Sequence, residues 1–213
     1  MNKVENSGTT IDRVIAMGLV PWLRAHGFAR KGRSFTRPAG HVIDTAHVQA
    51  SQWNTPDRAS FYVNIAVDWP AIYPVWTGQS APSNPALAPC FLRTRVHTLA
   101  GNQGWDVDPT VDEAALSEEL VAALEEQSGF WEQNHDLAGV LQQLEARERP
   151  WQGTRVWVGT PEWLVKATLL AYFGRADEAE ATIDAAAAAQ SRRTHAMDFS
   201  VFRARLGQIA RHP

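Results

Sequence analysis

The sequence predicts an α+β fold: a helix-backed antiparallel sheet of four or five strands, followed by a C-terminal helical region. Three observations carry that expectation. Residues 42–50 and 61–67 alternate with period two, the mark of a strand with one buried face. A helical stripe (Ile11, Val14, Ile15, Leu19, Trp22 and Leu23) precedes them. From residue 112 onward, the apolar spacing is helical throughout.

Thr10 is placed to cap the first helix, and Gly27 to end it in the left-handed conformation. Pro21 lies inside the stripe, so a kink or break is expected near it. A first strand leads to the turn Pro38-Ala39-Gly40. In the second, Val42, Asp44, Ala46, Val48 and Ala50 face one way, and Ile43, Thr45, His47 and Gln49 the other, continuing to Ser51. In the third, Phe61, Val63, Ile65 and Val67 oppose Tyr62, Asn64 and Ala66. Residues 69–89 hold five prolines in an irregular tract, whose Trp69, Tyr73 and Trp76 suggest that its first part is pinned down. Residues 91–99 read as a fourth strand and 105–107 as a short fifth. Helices are expected over 112–127 and 137–147, and Thr160-Pro161-Glu162 is a helix start. Two more helices follow, with Gly174 between the first pair and Asp198 capping the last. The domain reading is an α+β domain over 1–150 and a helical appendix over 151–213.

The motifs Gly27-Phe28, Lys31-Gly32-Arg33-Ser34-Phe35, Gln49-Ala50-Ser51 and Ser60-Phe61-Tyr62-Val63-Asn64-Ile65 occur in that order. Together they resemble a bacterial domain-of-unknown-function family, number 4304, over about residues 10–130. In this chain Ala29 interrupts the basic run and Ala66 fills the position of a small residue. The resemblance implies a fold and brings no activity with it.

Composition narrows the function classes. The lone Cys90 fits a reducing, cytoplasmic setting. No signal peptide is recognisable, and no apolar run approaches the ~18 residues of a membrane span. Net charge is −3 but uneven. Residues 1–100 carry ten Lys or Arg against five Asp or Glu, or +5; the remainder carries −8. No nucleotide-binding glycine loop and no GxSxG elbow occurs. His41, Asp44 and His47 mimic a metal motif, but on a strand Asp44 points away from both histidines, which lie roughly 20 Å apart. No metal and no cofactor is expected. Arg30, Lys31, Arg33 and Arg37 on an edge strand serve to block aggregation, so nucleic acid is not expected as a partner.

What remains is a surface. His47, Gln49, Ser51 and Asn64 fall on the polar face of the sheet, and Arg93, Arg95 and His97 join it if Leu92 and Val96 point inward. These side chains offer hydrogen-bonding groups and guanidinium forks suited to carboxylate or phosphate. The expectation is a non-enzymatic binding or interaction protein that holds a small anion or a protein partner's segment there. The alternative is a hydrolase- or transferase-type enzyme with His47 or His97 as base, which requires an imidazole beside Ser51. A plain solvated sheet face would carry neither. A third possibility, a protein-docking patch around Trp131, Trp151 or Trp157, requires those rings to be exposed.

Overall fold

The computed structural model describes residues 7–55, 57–73, 92–146, 162–190, 200 and 202–204. They belong to two compact units: residues 1–66 with 94–131, and residues 67–93 with 132–213.

The first unit opens with a helix that changes pitch. α1 (Ser7–Val14) widens into a π-helical turn, Ile15–Leu19, and returns to α-helix as α2 (Val20–Ala25). Pro21 gives the reason. It has no N–H for the carbonyl four residues back, and its ring crowds that carbonyl. The Val20 N–H instead reaches the Ile15 carbonyl, five residues back. Thr10 does not cap the helix but lies within α1, its hydroxyl accepting from Arg13 Nη2 at 3.2 Å. Gly27, at φ 84°, ends α2. The N–H groups of Gly27 and Phe28 satisfy the carbonyls of Arg24 and Leu23 at 3.0 and 2.9 Å.

Gly32, also left-handed at φ 62°, folds β1 (Ala29–Lys31) back on β2 (Ser34–Ala39). The segment before Pro38 is therefore a short hairpin and not a single strand, which adds one strand to the number expected. β3 (Val42–Ala50), β4 (Ala59–Asp68) and β5 (Leu92–Arg95) complete the order β1-β2-β3-β4-β5, and β6 (Trp105–Val107) also pairs with β4. The last two residues of β4 and the first two of β5 are counted with the second unit. β2 and β3 are antiparallel, with Ser34 opposite His47 and Arg37 opposite Asp44.

Alternation holds over part of these strands, but Thr45, Asn64 and Ala66, expected to face away from the core, are buried as well. Val42, Ala46 and Val48 of β3 and Phe61, Val63 and Ile65 of β4 are buried, whereas His47 and Gln49 are exposed. The inward set includes one charge. Asp44 is 0% exposed, and Arg37 answers it with Nε at 3.0 Å and Nη2 at 2.7 Å. The same guanidinium lies 4.7 Å from the Phe28 ring centre and 5.7 Å from that of Trp131, and donates to the His26 carbonyl.

Helix α3 (Glu113–Gln127) is capped by Asp112, whose Oδ1 accepts from the N–H groups of Ala114 and Ala115. It packs closely on the π turn. A Cβ on Gly18 would collide with Ser117, and Ser117 Oγ donates to the Val14 carbonyl at 3.2 Å. Arg13 Nε donates to Glu113 Oε2 at 2.9 Å, and these bonds hold the Glu113 carboxyl below its usual range. A short helix, α4 (Gly129–Gln133), buries Trp131, whose Nε1 donates to the Thr45 carbonyl at 3.2 Å. This excludes Trp131 from any exposed docking patch; Trp151 and Trp157 lie outside the described residues.

The second unit contains α5 (Leu137–Glu145), α6 (Glu162–Tyr172) and α7 (Ala176–Gln190). Gly174, at φ 76°, ends α6 as expected. Arg175 bridges Glu145 and Glu178, each at 2.6 Å. Trp69 and Tyr73 are buried, and Trp69 Nε1 donates to the Asn134 carbonyl at 3.3 Å. Trp76, the Thr160-Pro161 helix start and Asp198 lie outside the described residues. Asp68 is buried, with one carboxyl oxygen lacking a partner among the described residues, and burial pushes its pKa up to about 6.

Two predictions follow from this packing. Arg37→Ala removes the charge partner of a buried carboxylate and is expected to lower stability by about 3–5 kcal/mol, read as a shift in urea midpoint; replacing the pair together with Arg37→Met and Asp44→Leu should recover most of the loss. Asp68 binds its proton more tightly folded than unfolded, so its effect on stability is absent below about pH 4, turns unfavourable as pH rises to about 6, and is complete above. Asp68→Asn should therefore raise stability by roughly 1–3 kcal/mol at pH 7.5 and leave it unchanged near pH 3.

Candidate functional site

The polar face of the first unit is tied together strand by strand. On β2 and β3, Ser34 Oγ and His47 Nδ1 are 2.8 Å apart. From β4 to β3, Asn64 Nδ2 donates to Gln49 Oε1 at 3.3 Å. On β4 and β5, the Arg95 guanidinium sits 4.2 Å from the Tyr62 ring centre. Residues two apart on a strand look the same way, so these pairs share one face. The Arg95 Nη1 donates to Gln103 Oε1 at 3.4 Å, a long contact from the turn after β5. Gly104 makes that arrangement possible, because a Cβ there would meet the Tyr62 ring at 2.8 Å and the Phe61 carbonyl at 2.9 Å.

This face is less wet than the alternation implies. Asn64 is only 4% exposed, and its Oδ1 and the Arg95 Nε have no hydrogen-bond partner among the described residues. His47 and Gln49 remain exposed, and Tyr62 and Arg95 are half-buried. Arg95, like Arg30 over the Phe35 ring, keeps company other than a carboxylate. Arg13, Arg33, Arg37, Arg58, Arg175 and Arg203 all face a carboxylate, whereas Arg95 faces a ring and an amide.

The expected residues do not all converge. His47, Gln49, Asn64 and Arg95 are brought together as described. Ser51 is half-buried at the far end of β3, and its Oγ accepts from the Trp53 N–H at 3.2 Å rather than meeting an imidazole. The residue His47 meets is Ser34. Arg93 is half-buried and belongs to the second unit. β5 ends at Arg95, so His97 lies past the strand that was expected to run to residue 99. Gln127 of α3 clamps its backbone, Oε1 accepting from the His97 N–H at 2.9 Å and Nε2 donating to the His97 carbonyl at 2.8 Å. Among the described residues no group of three or more His, Cys, Asp or Glu side chains is placed to hold a metal ion. No described helix is long and apolar enough to cross a membrane.

Ser34, Gln103, Gly104 and Gln127 were not picked out as site residues. Ser34 carried a readable signal: next to the inward Phe35 on a strand, it must face the other way. Gln103 and Gln127 reach the site through tertiary contacts that no local spacing encodes.

The family model described as Domain of unknown function (DUF4304) matches residues 19–151. The chain belongs to that family. No curated protein and no solved structure gives a significant match. The DUF4304 segment contains every contact of the polar face, from Ser34 to Gln127.

The Gln127 clamp sets the path of the chain just after Arg95. Gln127→Leu removes both amide contacts, and the His97 amide should then exchange with deuterium roughly 5–30-fold faster, which corresponds to about 1–2 kcal/mol of lost local protection.

Proposed function

We propose that this chain is a non-enzymatic binding protein whose polar sheet face takes a small anion, with Arg95 as the group that grips it. The observation that carries this reading is the setting of Arg95. Its guanidinium lies over the Tyr62 ring, it has no carboxylate within 4 Å among the described residues, and Gln103 restrains it only loosely. A guanidinium held in place but not neutralised keeps its fork for a carboxylate or phosphate. Asn64, Gln49 and His47 on the same face supply neutral hydrogen-bonding groups for the rest of a ligand. A partner protein's acidic segment would present the same carboxylate chemistry. The single cysteine supports a cytoplasmic setting.

A second reading, a hydrolase- or transferase-type enzyme with His47 as base, draws on the 2.8 Å contact with Ser34. The geometry favours it less. Ser34 is buried on β2, and both residues sit in strands paired along both edges, where backbone N–H groups serve the ladder instead of a developing oxyanion.

A thermal-shift screen with mono- and dicarboxylates and inorganic phosphate tests the first reading, because a ligand that prefers the folded state raises Tm. At least one such anion should raise Tm. Arg95→Ala should abolish that shift and leave the unliganded Tm nearly unchanged. A screen in which no anion acts, or a shift that survives Arg95→Ala, overturns it.

A further inference from the structure

The loop between β3 and β4 holds a second feature on which the anion reading does not depend. Ser51, Trp53, Asn54, Thr55, Arg58 and Ser60 line an open recess of about 220 Å³. Hydrogen bonds tie the loop's described residues together. Asn54 Nδ2 donates to the Ser60 carbonyl at 3.1 Å, and its Oδ1 accepts from the Ser60 N–H at 2.8 Å. Thr55 Oγ1 donates to the Arg58 carbonyl and accepts from the Arg58 N–H, each at 3.2 Å. On this braced frame Trp53 stands 82% exposed. Trp53 thus presents a large flat apolar face within the lining of the recess, a surface on which a ligand's C–H groups can lie.

The chemistry around the ring selects that ligand. Arg58 and Asp106 face each other at 3.8 Å, both exposed, so their charges offset and an ion gains little there. Ser60 Oγ donates to Asp106 Oδ1 at 2.6 Å and retains an acceptor lone pair. Ser51 Oγ accepts from the Trp53 N–H and retains its own proton to donate. Asp106 Oδ2 accepts, and the Arg58 guanidinium donates. The lining thus offers hydroxyl and amide groups beside a flat apolar surface, and its one charged member, Arg58, faces Asp106 outside the recess. A ligand matched to this has groups that both donate and accept around its rim, and a C–H face to lay on the indole.

We infer that the recess binds a neutral polyhydroxylated ring, a monosaccharide or the end unit of a glycan, stacked on Trp53, with its hydroxyls on Ser51, Ser60 and Arg58. The test uses saturation-transfer NMR on the full chain with D-glucose, D-galactose, D-mannose and adenosine as probes. At least one hexose should receive saturation at its ring protons. The signal should fall at least fivefold in Trp53→Ala and in Arg58→Ala, and persist in Arg95→Ala, which separates this site from the anion site. Circular dichroism melts confirm that the variants fold, and Trp53→Phe, which keeps a ring, should retain part of the signal. Absence of any hexose signal, a signal indifferent to Trp53→Ala, or a Trp53-dependent signal from adenosine alone overturns the inference.

Discussion

The buried pair of Arg37 and Asp44 fixes how the sheet of the first unit is assembled. A carboxylate with no access to water holds its charge only if a partner and further donors meet it, so β2 and β3 have one register that works. Sliding β2 by one residue would set Asp44 against Thr36 or Pro38 and turn Arg37 to the opposite face. The same register places Ser34 opposite His47. The outward polar contacts are thus a by-product of an inward electrostatic requirement. Phe28 and Trp131, which flank the guanidinium, extend that requirement to the end of α2 and to α4.

Much of this was readable in advance because it is local. Alternation in β3 and β4 reports which side chains turn inward, and glycines at 27 and 174 mark helix ends through the one backbone conformation other residues avoid. Asp112 before an apolar-periodic run is a cap by its chemistry alone. What escaped depends on the third dimension. The Gly32 hairpin competes with a continuous-strand pattern that has the same parity. The π turn answers Pro21, and nothing in the sequence chooses between it and a break. Asn64 reads as outward by parity, and it is outward from the apolar core, yet it lies under its own neighbours and is nearly shut off from water.

The polar face and the β3–β4 loop divide the chemistry of the first unit between them. On the face, a single positive group is kept in position by a ring and an amide, and its charge is left unbalanced. At the loop, Arg58 faces Asp106 and an aromatic surface is left uncovered. Under the two proposals, charge selects at the first and shape and hydroxyl pattern at the second, so the two need not compete for the same molecule. Both draw on β3 and β4, strands paired along both edges.

The widened turn at Ile15–Leu19 has a further consequence. It accommodates one residue more than an α-helix of the same rise, so the side chains that follow are rotated by about 100° relative to an uninterrupted helix. Ile11 and Val14 before it, and Val20 and Leu23 after it, all end up interred despite that offset. A descendant chain that lost one residue here would regain a regular pitch and swing Leu23, and with it the entry to β1, out of alignment. The length of this segment is therefore as strictly constrained as its composition, and insertions or deletions should be tolerated far better in the surface turns than in this stretch.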